Sequence, residues 1–274
     1  MSKQKLSRIL EYLILSLGGI LMLIPFLWML DTALKTGSEA MSIPPIIIPK
    51  KLQWVNFVLA WHAAPFIRYF INSVIVTVIT TVGQLATTVL AAYAFAKLEF
   101  YGKKIIFTIC LATMMVPGEM LIIPNFITLS KFHMINTYYA LIIPWLASFF
   151  AVFTLRQTFM AIPDEIYYSA KIDGASDWYF LWHMLVPLAK PTIIALAALE
   201  IINSWNSFMW PLIVTNSDKM RTLPVGLSNF TTDAGTQFQL LMAASTIIIL
   251  PMLIVYIFLQ KYIIAGVTHS GLKG

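Results

Sequence analysis

The sequence predicts an all-α membrane protein with six transmembrane helices. Three observations carry that prediction. Of 274 residues, 59% are hydrophobic and only 11% charged, with a mean hydropathy of +0.81. A soluble domain carries about 25% charged residues, so this chain has too little polar surface to cover its apolar content in water. The apolar residues come in continuous runs rather than alternating dyads, which selects helices over a barrel. Lys and Arg gather at the ends of those runs, where positive charge orients a polytopic chain. The net charge of +6 is therefore a membrane signal and not a nucleic-acid one. The single cysteine, Cys110, lies inside an apolar run and excludes an internal disulfide or a Cys-rich metal site.

Lys3, Lys5 and Arg8 precede an uncharged run from Tyr12 to Leu30. That run exceeds the apolar core of a signal peptide and reads as a retained first span, with the N-terminus inside. Asp31 to Arg68 is a mixed outer segment with Pro44, Pro45 and Pro49, partly a surface helix. A second span runs from Phe70 to Ala96, and Lys97, Glu99, Lys103 and Lys104 form an inner turn. The third runs from Ile105 toward Ile127, interrupted at Pro117-Gly118-Glu119. Backbone groups freed at such a break must be satisfied by protein or by a cavity. Ser130 to Thr137 forms an outer loop, and the fourth span runs from Tyr138 to Leu155, closed by Arg156. The fifth covers Pro191 to Ser204. An outer loop with Asp218, Lys219, Arg221 and Asp233 leads to the sixth, Leu240 to Leu259, and a Gly-rich tail. Six spans put both termini on the inner side.

Between the fourth and fifth spans lies a polar island, Ile162 to Pro187. Pro163 suits a first helical turn, and Asp164 and Glu165 match the positive end of the helix dipole. Gly174 can take the left-handed conformation that ends a helix, and Ser176 can cap the next. Ile166, Ser169, Ala170 and Asp173 share one face at helical spacing, with small residues that let another surface approach. Packing of Trp178, Tyr179 and Trp182 is expected to hold this helix at a fixed angle. By pattern alone, the segment equally describes an amphipathic helix resting on lipid headgroups.

Two acids fall within spans, Glu119 and Glu200. Intramembrane carboxylates face a cavity, a partner helix or wet interface. Asn203, Trp205, Asn206 and Ser207 combine amides with aromatics, which suits either a sugar or an interfacial belt with helix-to-helix bonds. His62, His133, His183 and His269 have no metal-ligand spacing, and no metal site is expected. The sequence has no phosphate-binding G-x-x-x-x-G-K-[ST] loop, no G-x-S-x-G and no H-E-x-x-H, so no catalytic residue is assigned.

The polar island resembles the "EAA" loop of ABC-importer permease subunits: E-A-A, three residues, Gly, nine residues, then I-x-L-P. Tyr168-Ser169-Ala170 stands in the E-A-A place, Gly174 follows after three residues, and Met184-Leu185-Val186-Pro187 after nine more. The leading Glu is replaced by Tyr168. Ile172-Asp173-Gly174-Ala175-Ser176 resembles the carbohydrate branch. So do Ile71-Asn72-Ser73, Asn136-Thr137-Tyr138, Phe153 to Gln157, Trp205 to Ile213, Thr222 to Leu227, Leu241 to Ser245 and Ala265 to Gly274, in that order.

The resemblance implies a type I importer permease with a cytoplasmic coupling helix. Its expected organisation is a first helix and outer loop (1–68), a permease domain (69–261) and a cytoplasmic tail (262–274). Glu165, Tyr168, Ser169, Ala170, Asp173, Gly174, Ala175 and Pro187 become the expected ATPase-coupling residues, and Gly271 and Lys273 a tail contact. Asn203, Trp205, Asn206 and Glu200 become the expected substrate path. Implied partners are a second homologous permease, two ATPase subunits carrying ATP-Mg, an extracellular or periplasmic solute-binding protein, a di- or oligosaccharide and the bilayer of a bacterial plasma membrane. The competing expectation is an ion-gradient-driven transporter using Glu119 or Glu200.

Overall fold

The computed structural model describes residues 3–232 and 235–271. They form two packed units: residues up to 66 with 226–251, and residues 67–225 with those from 252 onward.

In the first unit, α1 (Lys3–Ala33) contains a 24-residue stretch of mean hydropathy 2.4, Leu10–Ala33. At 1.5 Å per residue that covers about 36 Å, enough to cross a bilayer core with tilt. From Leu10 to Trp28 its large apolar side chains are exposed, as a lipid-facing helix requires. Beyond it, Lys35 is buried, ion-paired to Asp31, with its ammonium 4.7 Å from the Trp28 ring centroid. The short helix α2 (Gly37–Ala40) has a capping box. Thr36 Oγ1 accepts from the Glu39 N–H, and the Glu39 carboxylate accepts from the Thr36 N–H at 3.0 Å. The Thr36 N–H, with the Lys50 N–H, holds the Glu39 carboxyl below its ordinary range. From α3 (Val55–His62), buried Asn56 donates both amide hydrogens at 2.8 Å, to the Ala33 and Lys35 carbonyls. Two antiparallel strand fragments, β1 (Thr231–Thr232) and β2 (Gly235–Thr236), precede the last helix.

The second unit is built on α4 (Phe66–Lys97), which opens four residues earlier than the sequence suggests. The third apolar run is α5 (Lys103–Thr113), a single 3-10 turn at Gly118–Leu121, and α6 (Ile122–Lys131). The two halves are bent by 93°. The fourth run, expected to be one helix closed by Arg156, is instead broken. It consists of α7 (Tyr138–Ile142), a 3-10 turn, and α8 (Phe149–Ala161), bent by 42°. Pro144 cannot donate to a helical ladder, and Ser148 caps the new start by accepting from the Ala151 N–H. Arg156 sits inside α8, its guanidinium 4.2 Å from the Phe107 ring centroid.

The polar island forms α9 (Asp164–Ile172), α10 (Asp177–Phe180), one π turn at Leu181–Leu185, and α11 (Val186–Leu188). Pro187 has no N–H to return to the preceding turn, which accounts for the widened ladder there. A 79° bend leads into α12 (Lys190–Trp205), followed by α13 (Met209–Val214) and α14 (Phe238–Gly271). Among the described residues three helices are long and apolar enough to span, and six spans result when each bent pair counts as one. Asp233 and Lys273 fall outside the described residues; Gly271 closes α14.

A tethered loop helix and a cavity at the broken spans

The loop helix α9 is fastened to the end of α4 directly at Lys97 and, by way of Asp177 in α10, at Tyr93. Lys97 Nζ lies 2.6 Å from Asp164 Oδ1 and 3.0 Å from the Ile162 carbonyl. One turn earlier on α4, the Tyr93 hydroxyl donates to Asp177 Oδ1 at 2.7 Å. The same oxygen accepts from the Tyr167 hydroxyl at 2.9 Å and pairs with Lys171 Nζ at 2.9 Å. These bonds, Lys171 foremost, hold the Asp177 carboxyl below its ordinary range, and Asp177 raises the Lys171 ammonium in turn. Burial pushes the Tyr167 phenol up.

Gly174 takes φ +82°, the left-handed conformation expected of it, with open space where a Cβ would stand. Ser176 Oγ accepts from the Tyr179 N–H at 3.1 Å, the expected cap. Two expectations need correction. Ala170 does not face outward: it is 3% exposed and packs with Phe180, Leu181 and Leu155 in the chain's own core. The outward face is Glu165, Tyr168, Ser169, Ile172 and Asp173, with Ile172 87% exposed. Nor do Trp178, Tyr179 and Trp182 hold the helix, since all three are exposed. Their place is taken by Tyr93, Lys97, Tyr167 and Asp177. Gly174 and Pro187 are exposed and Ala175 half-buried against the same core.

A cavity of about 600 Å³ lies within the second unit, inside the ~300–1,000 Å³ usual for small-molecule sites. Two of the three helix breaks border it, at Thr113–Gly118 and at Trp145–Phe149. This is where non-helical backbone is tolerated at membrane depth, provided its polar groups find partners. The carbonyls freed at the second break do find them. Gln84 Nε2 donates to the Trp145 carbonyl at 3.1 Å, and Thr87 Oγ1 to the Leu146 carbonyl at 2.6 Å. Gln84 Nε2 also donates to Glu200 Oε2 at 2.9 Å. Gly83 lets α4 approach this break closely, because a Cβ there would collide with Leu146.

Of the residues the sequence offered, Glu200 and Asn203 line the cavity, joined by Ser207 and Trp210. Trp205 and Asn206 do not. Trp205 is buried edge-on against Phe70, ring centroids 5.8 Å apart, and Asn206 ends α12. Glu119 is exposed and not part of the lining, although Gly118 beside it is. Sequence reading missed Gln84, Thr80, Ser73 and Trp145. The available signal was Ser73, Thr77, Thr80, Gln84 and Thr88, polar residues spaced three or four apart along one face of an otherwise apolar helix.

At one end of the cavity, Ser73 Oγ accepts from the Leu223 N–H at 2.8 Å. Asn72 Nδ2 donates to the Lys219 and Arg221 carbonyls at 2.9 and 2.8 Å, and its Oδ1 accepts from the Tyr138 hydroxyl at 2.6 Å. The loop after α13 is thus fixed to the start of the second span. Asn136, in the left-handed region at φ 61°, accepts through Oδ1 from the Asn216 N–H and Ser217 Oγ.

Apolar helices, spans broken around a polar-lined cavity and a tethered loop helix define a polytopic permease. The chain belongs to the family of binding-protein-dependent transport system inner membrane components, whose model matches residues 84–269. It is a transport component and not a catalytic subunit. It is 35% identical over 279 residues to the arabinooligosaccharides transport system permease protein AraQ of Halalkalibacterium halodurans, covering 99% of this chain and 100% of that one. Identity is 30% over 267 residues to the sn-glycerol-3-phosphate transport system permease protein UgpE of Yersinia pestis, covering 94% and 95%. The fold matches a chain from the crystal structure of a bacterial ABC transporter involved in import of the acidic polysaccharide alginate. The TM-score is 0.82 at 22% identity, covering 96% of this chain and 98% of that one.

Proposed function

We propose that this chain is a permease subunit of a binding-protein-dependent ABC importer that moves a di- or oligosaccharide into the cell by ATP-driven alternating access. The observation that carries the reading is the attachment of α9 to α4, directly through Lys97 and by way of Asp177 through Tyr93, while its face at Glu165, Tyr168, Ser169, Ile172 and Asp173 is left uncovered. A helix so held transmits a push on its outer face directly to a span bordering the cavity. In this reading, two ATPase subunits carry ATP-Mg, and α9 seats on one of them. A second homologous permease completes the pathway, and an extracellular or periplasmic binding protein delivers the sugar. The first helix and outer loop (1–68), the permease domain (69–261) and the tail (262–274) keep their assigned roles, with both termini cytoplasmic and Gly271 and Lys273 toward the ATPase. Glu200 and Asn203 lie on the substrate path. A sugar substrate is supported by the arabinooligosaccharide relative at 35% identity.

An ion-driven mechanism finds less support, because Glu200 bonds a neutral amide and Glu119 is exposed outside the cavity lining. The test is uptake of arabinotriose by proteoliposomes holding the complete complex and its binding protein. Uptake is expected to persist when proton and sodium gradients are collapsed and to stop without ATP. Uptake that stops with the gradients and ignores ATP overturns the reading.

A further inference from the structure

The geometry points to a cavity in this subunit that selects neutral polyhydroxyl ligands and rejects anionic ones, with Glu200 and Gln84 as the discriminating pair. The inference rests on the importer reading and deepens it. Gln84 commits its amide donors to the Trp145 carbonyl and to Glu200 Oε2. Its own Oε1, and Glu200 Oε1, have no hydrogen-bond partner among the described residues. Two acceptor oxygens on lining side chains are therefore left uncommitted, and they call for donors.

A second observation is independent of the first. Thr80 and Thr222 also line the cavity, are buried, and their hydroxyls have no partner among the described residues. Buried polar atoms without partners are rare enough to ask for one. A sugar supplies hydroxyls that donate to the Gln84 and Glu200 oxygens, and the threonine side chains keep the wall around it polar. Trp145, packed edge-on against buried Trp210, adds exposed indole surface for the C–H face of a ring.

Charge sets the selectivity. Among the described lining residues, Glu200 is the one acidic group, and there is no Lys, Arg or His. A phosphate or uronate brings acceptors to acceptors and negative charge toward a carboxylate, with no cation to offset either. Relatives of this fold include a glycerol-phosphate permease and an alginate transporter chain. This cavity is built for the other kind of cargo.

The test uses the complete complex in nanodiscs without its binding protein, so that the cavity alone reports. Affinity is measured by isothermal titration for two probes of similar size, arabinotriose and trigalacturonate. Arabinotriose is expected to bind at least tenfold more tightly. Glu200→Gln keeps the side-chain shape and is expected to narrow the gap below threefold by tightening trigalacturonate, a gain that misfolding cannot produce. Gln84→Leu is expected to weaken arabinotriose about tenfold. Thr80→Val, nearly isosteric, is expected to weaken it about threefold and keeps this arm readable if Gln84→Leu does not assemble. The inference is overturned if wild type binds both probes equally, if neither binds, or if Glu200→Gln leaves the ratio unchanged. Such a result beside intact ATP-driven uptake leaves the importer reading standing, whereas loss of ATP dependence overturns that reading instead.

Discussion

The Tyr93 hydroxyl donates to the Asp177 carboxylate at 2.7 Å across 84 residues of chain, joining the second span to the segment that follows α9. Tyr93→Phe removes one charge-assisted hydrogen bond, worth about 1.5–3 kcal/mol in such settings, and leaves the ring's packing in place. Membrane insertion is expected to be normal. The ratio of sugar transported to ATP hydrolysed by the reconstituted complex is expected to fall several-fold. An unchanged ratio counts against α9 acting as a lever.

At Gly174 the backbone conformation itself is the constraint. A Cβ meets nothing there, so only φ +82° opposes a side chain. Gly174→Val forces a β-branched residue into the left-handed region at a cost of about 1–3 kcal/mol. Gly174→Asn, which tolerates that region, is expected to keep most activity. Uptake assays of the two variants should separate them clearly; equal uptake in both removes the role of the turn.

Exposure on α9 decides which residues a partner can touch. In a Cys110→Ser background, cysteines at Tyr168 and Ile172 are expected to crosslink to engineered cysteines on the ATPase surface. One at Ala170 is expected to remain unmodified by a bulky thiol reagent, because it faces the chain's own core. Labelling followed by gel shift reads both outcomes, and rapid labelling at 170 contradicts the assigned orientation.

The approach of α4 to the second break leaves no room at Gly83. Gly83→Leu is expected to displace Leu146 and pull Gln84 from the Trp145 carbonyl, destabilising the fold by about 1–3 kcal/mol. Gly83→Ala meets only the end of one flexible side chain and is expected to cost less. The melting temperatures of the two purified variants check the order.

The Lys171–Asp177 pair carries a pH signature. Asp177 titrates below its ordinary value, so its contribution is present above the usual carboxylate range and is lost as pH falls through the lowered value. Lys171 titrates above its ordinary value, so its contribution is present below the usual lysine range and is lost as pH rises beyond it. The stability gap between wild type and Lys171→Met is expected to be flat from about pH 5 to 9 and to shrink below about pH 4. A thermal-shift series across pH reads it; a gap that persists into acid contradicts the pairing.

The sequence alone determined what depends on local chemistry and on composition. Long apolar runs had to be membrane helices, because a continuous run must satisfy its own backbone in lipid, whereas barrel strands alternate. Gly174 and Ser176 marked a helix end and a helix start, since each acts within a few residues of itself. Pro117-Gly118 marked one break. The chain's order of short motifs carried its family. Only the tertiary structure decided which face of α9 is free, because Ala170 and Ile172 differ in burial through what packs beside them and not through local pattern. It also decided that the fourth span breaks, that Gln84 and Thr87 satisfy the freed carbonyls, and that Glu200 faces a cavity while Trp205 does not. Hydrogen bonds such as Tyr93 to Asp177 or Gln84 to Glu200 join residues 84 and 116 positions apart. No local periodicity encodes such a pair; it exists once the helices have packed.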